Sequence, residues 1–129
     1  MSKLLEVKKL TVQYTTDDAV IHAVNGISFD IEEGQTLGIV GETGAGKTTT
    51  CLSILRLISS TSGQIQEGEI LFEGNDILKK SESEMRKIRG QKISMIFQDP
   101  MTALNPVIPV GKQISEVIRK HQKCSRTEA

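Results

Sequence analysis

Eight consecutive residues, Gly41 to Thr48, follow the pattern G-x-x-x-x-G-K-(S/T). The apolar run 37–40 (Leu-Gly-Ile-Val) precedes them, and a stretch with helical spacing of apolar residues follows. A strand, a glycine-rich loop and a helix in this order are typical of a phosphate-binding loop, or P-loop. The sequence therefore predicts a site for a nucleoside triphosphate with magnesium.

The chemistry of such a loop resides in its backbone. Consecutive N–H groups from about Gly44 to Thr49 would point into one concavity at a helix N-terminus, where the helix dipole also attracts anions. Lys47 would bring a cation to the β and γ phosphates, and the Thr48 hydroxyl could ligate magnesium. The backbone geometry would be permitted by three glycines, Gly41, Gly44 and Gly46. The dinucleotide fingerprint G-x-G-x-x-G is not met, because its third glycine is missing.

Two further side chains could take part in chemistry. Gln98 directly follows an apolar run, where its amide could bind magnesium or hold an attacking water; the alternative is a solvated glutamine at a strand end. Tyr14 ends an alternating segment at a polar loop, in a chain with one Tyr, three Phe and no Trp. Its ring could stack on a base, which would contribute about 1–3 kcal/mol, or it could pack on its own domain.

Composition limits the classes of function. The 129 residues correspond to about one small domain. Sixteen basic and sixteen acidic residues cancel, so no net field draws the chain to nucleic acid or anionic lipid. The longest apolar runs have about four or five residues, far short of the ~20 that a membrane span needs. Cys51 and Cys124 lie far apart, which indicates free thiols in a reducing cytosol.

A basic stretch runs from Lys79 to Lys92, but Glu82 and Glu84 interrupt it and it contains no aromatic residue. A solvated helix face is the better interpretation of this stretch than a nucleic-acid patch. Nucleic acid is therefore not an expected partner.

Apolar periodicity predicts five strands. Residues 4–14 alternate, with a change of phase between Val7 and Leu10 that indicates a bulge or break. Residues 27–31 alternate as a half-buried strand, 69–72 form a further strand, and the runs 37–40 and 93–97 are typical of strands covered on both faces. Phe29 and Phe97 are expected in the core.

Helical spacing predicts three helices. The first follows the P-loop, from an apolar stripe of Cys51, Leu52, Ile54, Leu55 and Ile58, and ends in the polar loop 59–63. The second begins at a capping box of Ser81 and Glu84 and ends at Gly90. The third carries the stripe Val110, Ile114, Val117 and Ile118. The N-terminal strands precede the strand–loop–helix unit, which indicates a mixed α/β fold.

The chain resembles the ATP-binding subunits of ABC transporters. Three features carry this resemblance: the Walker A run 41–48, the glutamine-loop segment 95–106 (Met-Ile-Phe-Gln-Asp-Pro-Met-Thr-Ala-Leu-Asn-Pro) and Tyr14. Segment 95–106, together with 38–42, is most similar to the dipeptide, oligopeptide and nickel importers of bacteria, and residues 110–114 continue the likeness. Walker A alone is shared by many NTPases, whereas segment 95–106 is far more specific.

The resemblance implies an α/β fold: a P-loop NTPase core of the ABC ATPase type with an N-terminal antiparallel β portion, incomplete at the C-terminus. Residues 1–35 would form the antiparallel portion, 36–98 the core up to the glutamine loop, and 99–129 the start of a helical subdomain. The function implied is binding, and in the parent protein hydrolysis, of ATP to energise an importer for peptides or similar solutes.

The resemblance also assigns roles to residues. Tyr14 would stack on adenine, Thr48 and Gln98 would complete the shell of Mg²⁺, and Lys47 and Gln98 would act in catalysis. ATP would be held by Tyr14, Gly41, Glu42, Thr43, Gly44, Ala45, Gly46, Lys47, Thr48 and Thr49. The loop after Gln98 would contact integral membrane subunits, and a second ATP-binding subunit would complete a homo- or heterodimer. The protein would lie peripherally at the cytoplasmic face of the cell membrane.

The chain departs from the family pattern in one respect. The family continues with an LSGGQ-type signature, a Walker B aspartate with a catalytic glutamate, and a switch histidine, none of which occurs in these 129 residues. We therefore expect the N-terminal part of a longer subunit, with weak nucleotide binding and negligible turnover by itself. Exposed sheet edges and uncovered apolar surface are also expected.

Other functions remain open at this point. A non-catalytic interaction module could dock on a membrane subunit through residues 98–110. An ABC ATPase of DNA repair or translation is a third possibility, although the segment from Phe97 to Pro106 argues against it. A GTPase is disfavoured, because no N/T-K-x-D-like motif is found.

Overall fold

The computed structural model describes residues 2–44, 46–58 and 61–129. These residues form two compact units, the first ending at Ser81 and the second beginning at Glu82. The first unit contains a β-sheet and the helix that follows the glycine-rich loop. The second contains two helices and the segment between them.

The sheet of the first unit has four antiparallel strands in the order β2-β1-β3-β4. They are β1 (Lys3–Thr15), β2 (Val20–Glu32), β3 (Gly63–Phe72) and β4 (Asn75–Asp76). The strands predicted over 4–14, 27–31 and 69–72 are confirmed, and each is longer than its periodicity indicated. A short 3₁₀ turn, Ile77–Lys79, follows β4, where the Asp76 carboxylate accepts a hydrogen bond from the Leu78 N–H at 3.0 Å.

The predicted bulge in β1 is confirmed. Its pairing with β2 shifts between Val7 and Leu10, and Lys9 adopts a left-handed φ of 47°. Because side chains in a strand alternate between faces, residues three apart share a face only if an extra residue is inserted. The bulge thus buries Val7 and Leu10 together.

Gly68 of β3 lies against this bulge. A Cβ at Gly68 would be 2.8 Å from both the Leu10 Cα and the Lys8 carbonyl oxygen, and the residue has φ +118°. Both the space and the backbone conformation therefore require glycine. The buried apolar residues of the first unit are Val7, Leu10, Val12, Val24, Leu55, Ile70, Phe72 and Ile77.

Helix α1 (Lys47–Ile54) is shorter than predicted. The interpretation of Leu55 and Ile58 as helical is wrong, because the chain leaves the helix through a left-handed Arg56 at φ 52°. The Leu57 N–H donates to the Leu52 carbonyl at 2.9 Å and the Arg56 N–H to that of Ser53 at 3.0 Å, the pattern of a Schellman motif. Ser59 and Ser60, in the predicted loop, lie outside the described residues.

The face of α1 that is buried is partly polar. Thr50 and Ser53 are its buried residues, whereas Cys51, Leu52 and Ile54 are half-buried. The Thr50 hydroxyl donates to the Gly46 carbonyl at 2.8 Å and the Ser53 hydroxyl to that of Thr49 at 2.7 Å. Back-bonding of this kind satisfies a buried hydroxyl without a distant partner.

The strand predicted over residues 37–40 is wrong. Residues 37–42 have no regular secondary structure, and Val40 is 93% exposed. A strand requires N–H and C=O partners on a neighbouring strand, and the four-stranded sheet does not include this run. The apolar composition of this run does not show whether a neighbouring strand is present to pair with it. Phe29, expected in the core, is half-buried.

The second unit contains α2 (Glu82–Ile88), a 3₁₀ turn (Pro100–Ala103) and α3 (Val110–Gln122). Both predicted helices are confirmed. Met85 is the buried residue of α2, and Gly90, at φ 83°, lies just past its end as expected. On α3, Val110, Ile114 and Val117 are each more than half exposed, so the predicted apolar stripe exists without a cover within the described residues.

The strand predicted over residues 93–97 is also wrong. Ile93 makes one isolated parallel bridge with Arg89, and residues 94–97 have no regular structure. Ile96 is 95% exposed and Phe97 is 47% exposed, so Phe97 is not in the core. Exposed apolar surface was expected and is found here and at residues 37–40.

Candidate functional site

The glycine-rich loop leads directly into α1. Gly44 has φ 84° and Gly46 has φ 85°, both left-handed, and Gly46 is the N-cap residue of the helix. Since glycine has no side-chain oxygen to cap the helix, the first N–H groups of α1 remain available to another acceptor. No acidic side chain lies in the first turn of α1. Ala45, part of the predicted site, lies outside the described residues.

Gly46 also fixes where the helix begins. A Cβ at this position would lie 2.3 Å from the carbonyl oxygen of Ala23 and 3.3 Å from a methyl carbon of Val24, both in β2. The backbone of the loop therefore approaches the backbone of the strand more closely than any side chain would allow. This contact sets the position of the α1 N-terminus relative to the sheet.

Lys47 folds back over the loop that precedes it. Its ammonium donates to the carbonyl oxygen of Glu42 at 2.8 Å and also to that of Gly41. Two carbonyl oxygens of the loop thus keep the Lys47 ammonium close to it. An ammonium has three N–H donors, and these bonds use two of them. The half-buried Lys47 can therefore keep these bonds and still offer a donor to an anion.

The predicted base-stacking residue lies beside the start of α1. The Tyr14 hydroxyl is 3.5 Å from the Thr49 hydroxyl, although the two residues are 35 positions apart. Tyr14 is half-buried near the end of β1, where it pairs with Ile21 of β2 and Gly63 of β3. Thr48, the preceding residue of the helix, is exposed.

Gln98 belongs to the second unit and is described there by itself. It is exposed, in a bend after residues 94–97. The next residue begins an ordered turn: the Asp99 carboxylate accepts from the Met101 N–H at 3.1 Å, and the Thr102 hydroxyl donates to the Asp99 carbonyl at 2.9 Å. Gln98 thus directly precedes a structured segment.

One residue of this segment was missed by the sequence-based reasoning. The Gln113 side chain makes three hydrogen bonds to the backbone between Asn105 and Ile108, at 2.8 to 2.9 Å. The available signal was a polar residue next to the apolar stripe of α3, one helical turn before Val117. The hydrogen bonds of Gln113 could not be predicted from that signal, because they depend on where the preceding loop lies.

Comparison with known proteins identifies the family. The ABC transporter family matches residues 24–128. The chain belongs to the ABC transporter family. The resemblance carried by residues 41–48 and 95–106 is therefore confirmed. Members of this family bind ATP.

Two curated relatives are ATP-binding proteins of peptide transport. The chain is 49% identical over its whole length to the oligopeptide transport ATP-binding protein OppD of Bacillus subtilis, of which it covers 36%. It is 48% identical, again over its whole length, to the dipeptide transport ATP-binding protein DppD of the same organism, of which it covers 38%. The chain thus spans little more than a third of the length of these relatives.

Solved structures support the predicted ABC ATPase fold. The dimeric structure of MJ0796, a bacterial ABC transporter cassette, matches with a TM-score of 0.79 and 24% identity, over 94% of this chain and 49% of that one. A second structure of the same cassette, in a post-hydrolysis state bound to ADP and Pi, matches with the same TM-score. Likeness at this identity concerns the fold. Within residues 2–44, 46–58 and 61–129, no helix has the length and apolarity to cross a membrane.

Proposed function

We propose that this chain is the ATP-binding part of a subunit that energises an ABC importer for peptides or similar solutes. The observation that carries the proposal is the placement of the glycine-rich loop at the N-terminus of α1, with Tyr14 beside Thr49. The names of three relatives, which are ATP-binding proteins of peptide transport, support the same interpretation. They do not favour a non-catalytic module.

In this proposal the backbone binds the triphosphate. The N–H groups of α1 left available by Gly46 would bind phosphate oxygens, and the helix dipole would strengthen that interaction. Lys47 would donate its third hydrogen to the terminal phosphates. Tyr14 would hold the adenine by stacking, a contact that requires its ring but not its hydroxyl.

Mg²⁺ is proposed as the metal, with Thr48 and Gln98 as its protein ligands. The two side chains fit this ion, since each is exposed and offers a neutral oxygen, and Mg²⁺ keeps few protein ligands beside phosphates and waters. When bound, Mg²⁺ neutralises charge on the phosphate oxygens. Lys47 would add to that neutralisation, and Gln98 would orient the water that attacks.

The partners proposed are integral membrane subunits, contacted through the loop after Gln98, and a second ATP-binding subunit. The protein would then be peripheral to the cytoplasmic face of the cell membrane. In the proposed division of the domain, residues 1–35 would form the antiparallel portion, 36–98 the P-loop core up to the glutamine loop and 99–129 the start of the helical subdomain.

A titration with Mg·ATP tests the nucleotide site. Addition of the ligand to ¹⁵N-labelled protein should shift the amide signals of Lys47, Thr48 and Thr49, and Lys47→Ala should abolish the shifts because the loop loses its only lysine cation. Lys79→Ala is a matched control: Lys79 is exposed and forms a surface ion pair with Asp76 at 3.8 Å, so its loss should leave the affinity unchanged. Amide signals that do not move in folded wild-type protein would refute the proposal.

A further inference from the structure

The side chain of Gln113 binds three backbone groups of the loop before α3. Its Oε1 accepts from the Asn105 N–H at 2.9 Å. Its Nε2 donates to the Asn105 carbonyl at 2.9 Å and to the Ile108 carbonyl at 2.8 Å. Gln113 is half-buried and lies in the first turns of α3, so these bonds tie the loop to the helix that follows it.

The chemistry of the partners fixes the orientation of this amide. The Asn105 N–H can only donate, and the two carbonyls can only accept. Exchanging the oxygen and nitrogen of the Gln113 amide would oppose like groups at all three contacts. Neither a carboxylate nor an aliphatic side chain could replace glutamine, because the set requires one acceptor and two donors on one rigid plane.

The loop has little else to maintain its conformation. Pro106 and Pro109 have no N–H group to donate. Among the described residues, the other hydrogen bonds of the loop are internal to it: the Val107 N–H donates to the Asn105 carboxamide oxygen at 3.0 Å, and the Ile108 N–H to the Asn105 carbonyl at 3.3 Å. Gln113 therefore provides the contacts that hold this turn against α3.

The surface that this turn presents is apolar. Val107 is 84% exposed, and Leu104 and Ile108 are also exposed. A groove of about 660 Å³ lies beside them, lined among others by Leu104, Ile108, Ile114 and Val117. If this turn were disordered before binding, the entropy lost on ordering it would lower its affinity for a partner. A turn whose conformation is already fixed avoids that loss.

We propose that Gln113 is a positioning residue, which fixes the loop 104–108 so that Val107 and its apolar neighbours are presented to the membrane subunit. The inference rests on the proposed function, because it takes the membrane subunit as the partner of this segment. Gln113 itself need not touch that partner. Its contribution is the preorganisation of the loop.

Amide hydrogen exchange tests the positioning step without nucleotide or partner. In Gln113→Ala the exchange of the Asn105 amide should accelerate about tenfold, as expected for the loss of one net hydrogen bond. Alanine favours helix, so the helical circular dichroism should be retained. Gln113→Glu keeps the acceptor for Asn105 but faces two carbonyls with a carboxylate, and it should not restore the loop. Gln122→Ala, at the exposed end of the same helix, should exchange like wild type.

The functional step is tested in the complete ATPase subunit with its membrane subunits in nanodiscs. Gln113→Ala should weaken the apparent affinity for the membrane subunits about tenfold, while the dissociation constant for Mg·ATP stays within about twofold of wild type. A merely structural role would lower nucleotide affinity as well. Gln122→Ala should retain both affinities.

The outcomes separate the two proposals. Unchanged Asn105 exchange in Gln113→Ala would overturn the positioning role, and so would a loosened loop with unchanged affinity for the membrane subunits. Failure of the wild-type protein to bind Mg·ATP would instead refute the proposed function. The exchange measurement would still decide whether Gln113 orders the loop.

Discussion

Two loops of this chain lead into helices, and they use their backbone groups in opposite ways. The loop before α1 enters its helix through Gly46, whose missing side chain leaves the first N–H groups available. The loop before α3 has its N–H and C=O groups bound by Gln113 and Asn105. The first loop leaves backbone donors open, as the proposed phosphate site requires, whereas side chains bind backbone groups of the second.

The comparison also distinguishes what each loop requires. The first depends on residues that lack a side chain, because strand β2 approaches Gly46 directly. The second depends on a residue with one specific arrangement of donor and acceptor groups. Substitutions at the first loop should therefore act through sterics and ligand binding, and those at the second through loop order.

The largest expected effect is at Gly46. In Gly46→Ala the new methyl group would lie 2.3 Å from the Ala23 carbonyl oxygen at a left-handed φ, so the free energy of unfolding should fall by about 3 kcal/mol and nucleotide binding should be lost. Gly44→Ala is the matched control, since Gly44 has a similar φ and nothing within 4 Å of its Cβ position. It should cost only the strain of about 1–2 kcal/mol. Urea unfolding measures both, and equal losses would show that contact with β2 is unimportant.

A smaller effect is expected at Tyr14 of β1, whose hydroxyl lies 3.5 Å from that of Thr49 in the first turn of α1. If the ring stacks on the base, Tyr14→Ala should weaken Mg·ATP binding by about 1–3 kcal/mol. Tyr14→Phe keeps the ring and loses only the 3.5 Å contact with Thr49, so its affinity should stay close to wild type. Calorimetric titration of both variants decides the matter. A phenylalanine variant as weak as the alanine variant would assign the effect to the hydroxyl and not to stacking.

The smallest effect concerns the other ends of the two helices, each of which terminates at a basic residue with positive φ. Arg56 after α1 donates to the Lys80 carbonyl at 2.5 Å, whereas Lys123 after α3 is exposed. Glycine relieves left-handed strain at either position. Lys123→Gly removes left-handed strain of about 1–2 kcal/mol and loses about 0.4–1 kcal/mol through the freer unfolded chain, so it should stabilise the protein slightly. Arg56→Gly should destabilise it, because tertiary hydrogen bonds are lost. Thermal unfolding measures the change in stability of each variant. If both variants were stabilised, or both destabilised, the predicted contrast would be wrong.

Much of the antiparallel sheet could be predicted from the sequence. Alternation located β1 and β2, and the change of phase between Val7 and Leu10 located the bulge, because the period of two is a property of the strand itself. The apolar residues 70–72 before a turn-like segment located β3. The runs 37–40 and 93–97 gave wrong predictions for the complementary reason. Their apolar composition is compatible with a buried strand, but a strand also needs a neighbour to pair with, which composition does not specify.

The candidate site divides in the same way. The pattern 41–48 is local, so its position at a helix N-terminus could be predicted. The proximity of Tyr14 to Thr49 joins residues 35 positions apart, and only the pairing of β1 with β2 and β3 brings them together. The end of α1 at Arg56 was not predicted, because the left-handed residue of a Schellman motif is usually glycine and this one is arginine.

By itself, the sequence located β1, β2 and β3, the position where β1 needs an extra residue, and the glycine-rich loop at the start of α1. These are consequences of short-range periodicity and of residues that lack or restrict side chains. The tertiary structure decided that Gly46 lies against Ala23, that Tyr14 reaches the start of α1, and that Gln113 holds the loop before α3. Each of these is a contact between segments, and its energy depends on distances that a local pattern does not encode.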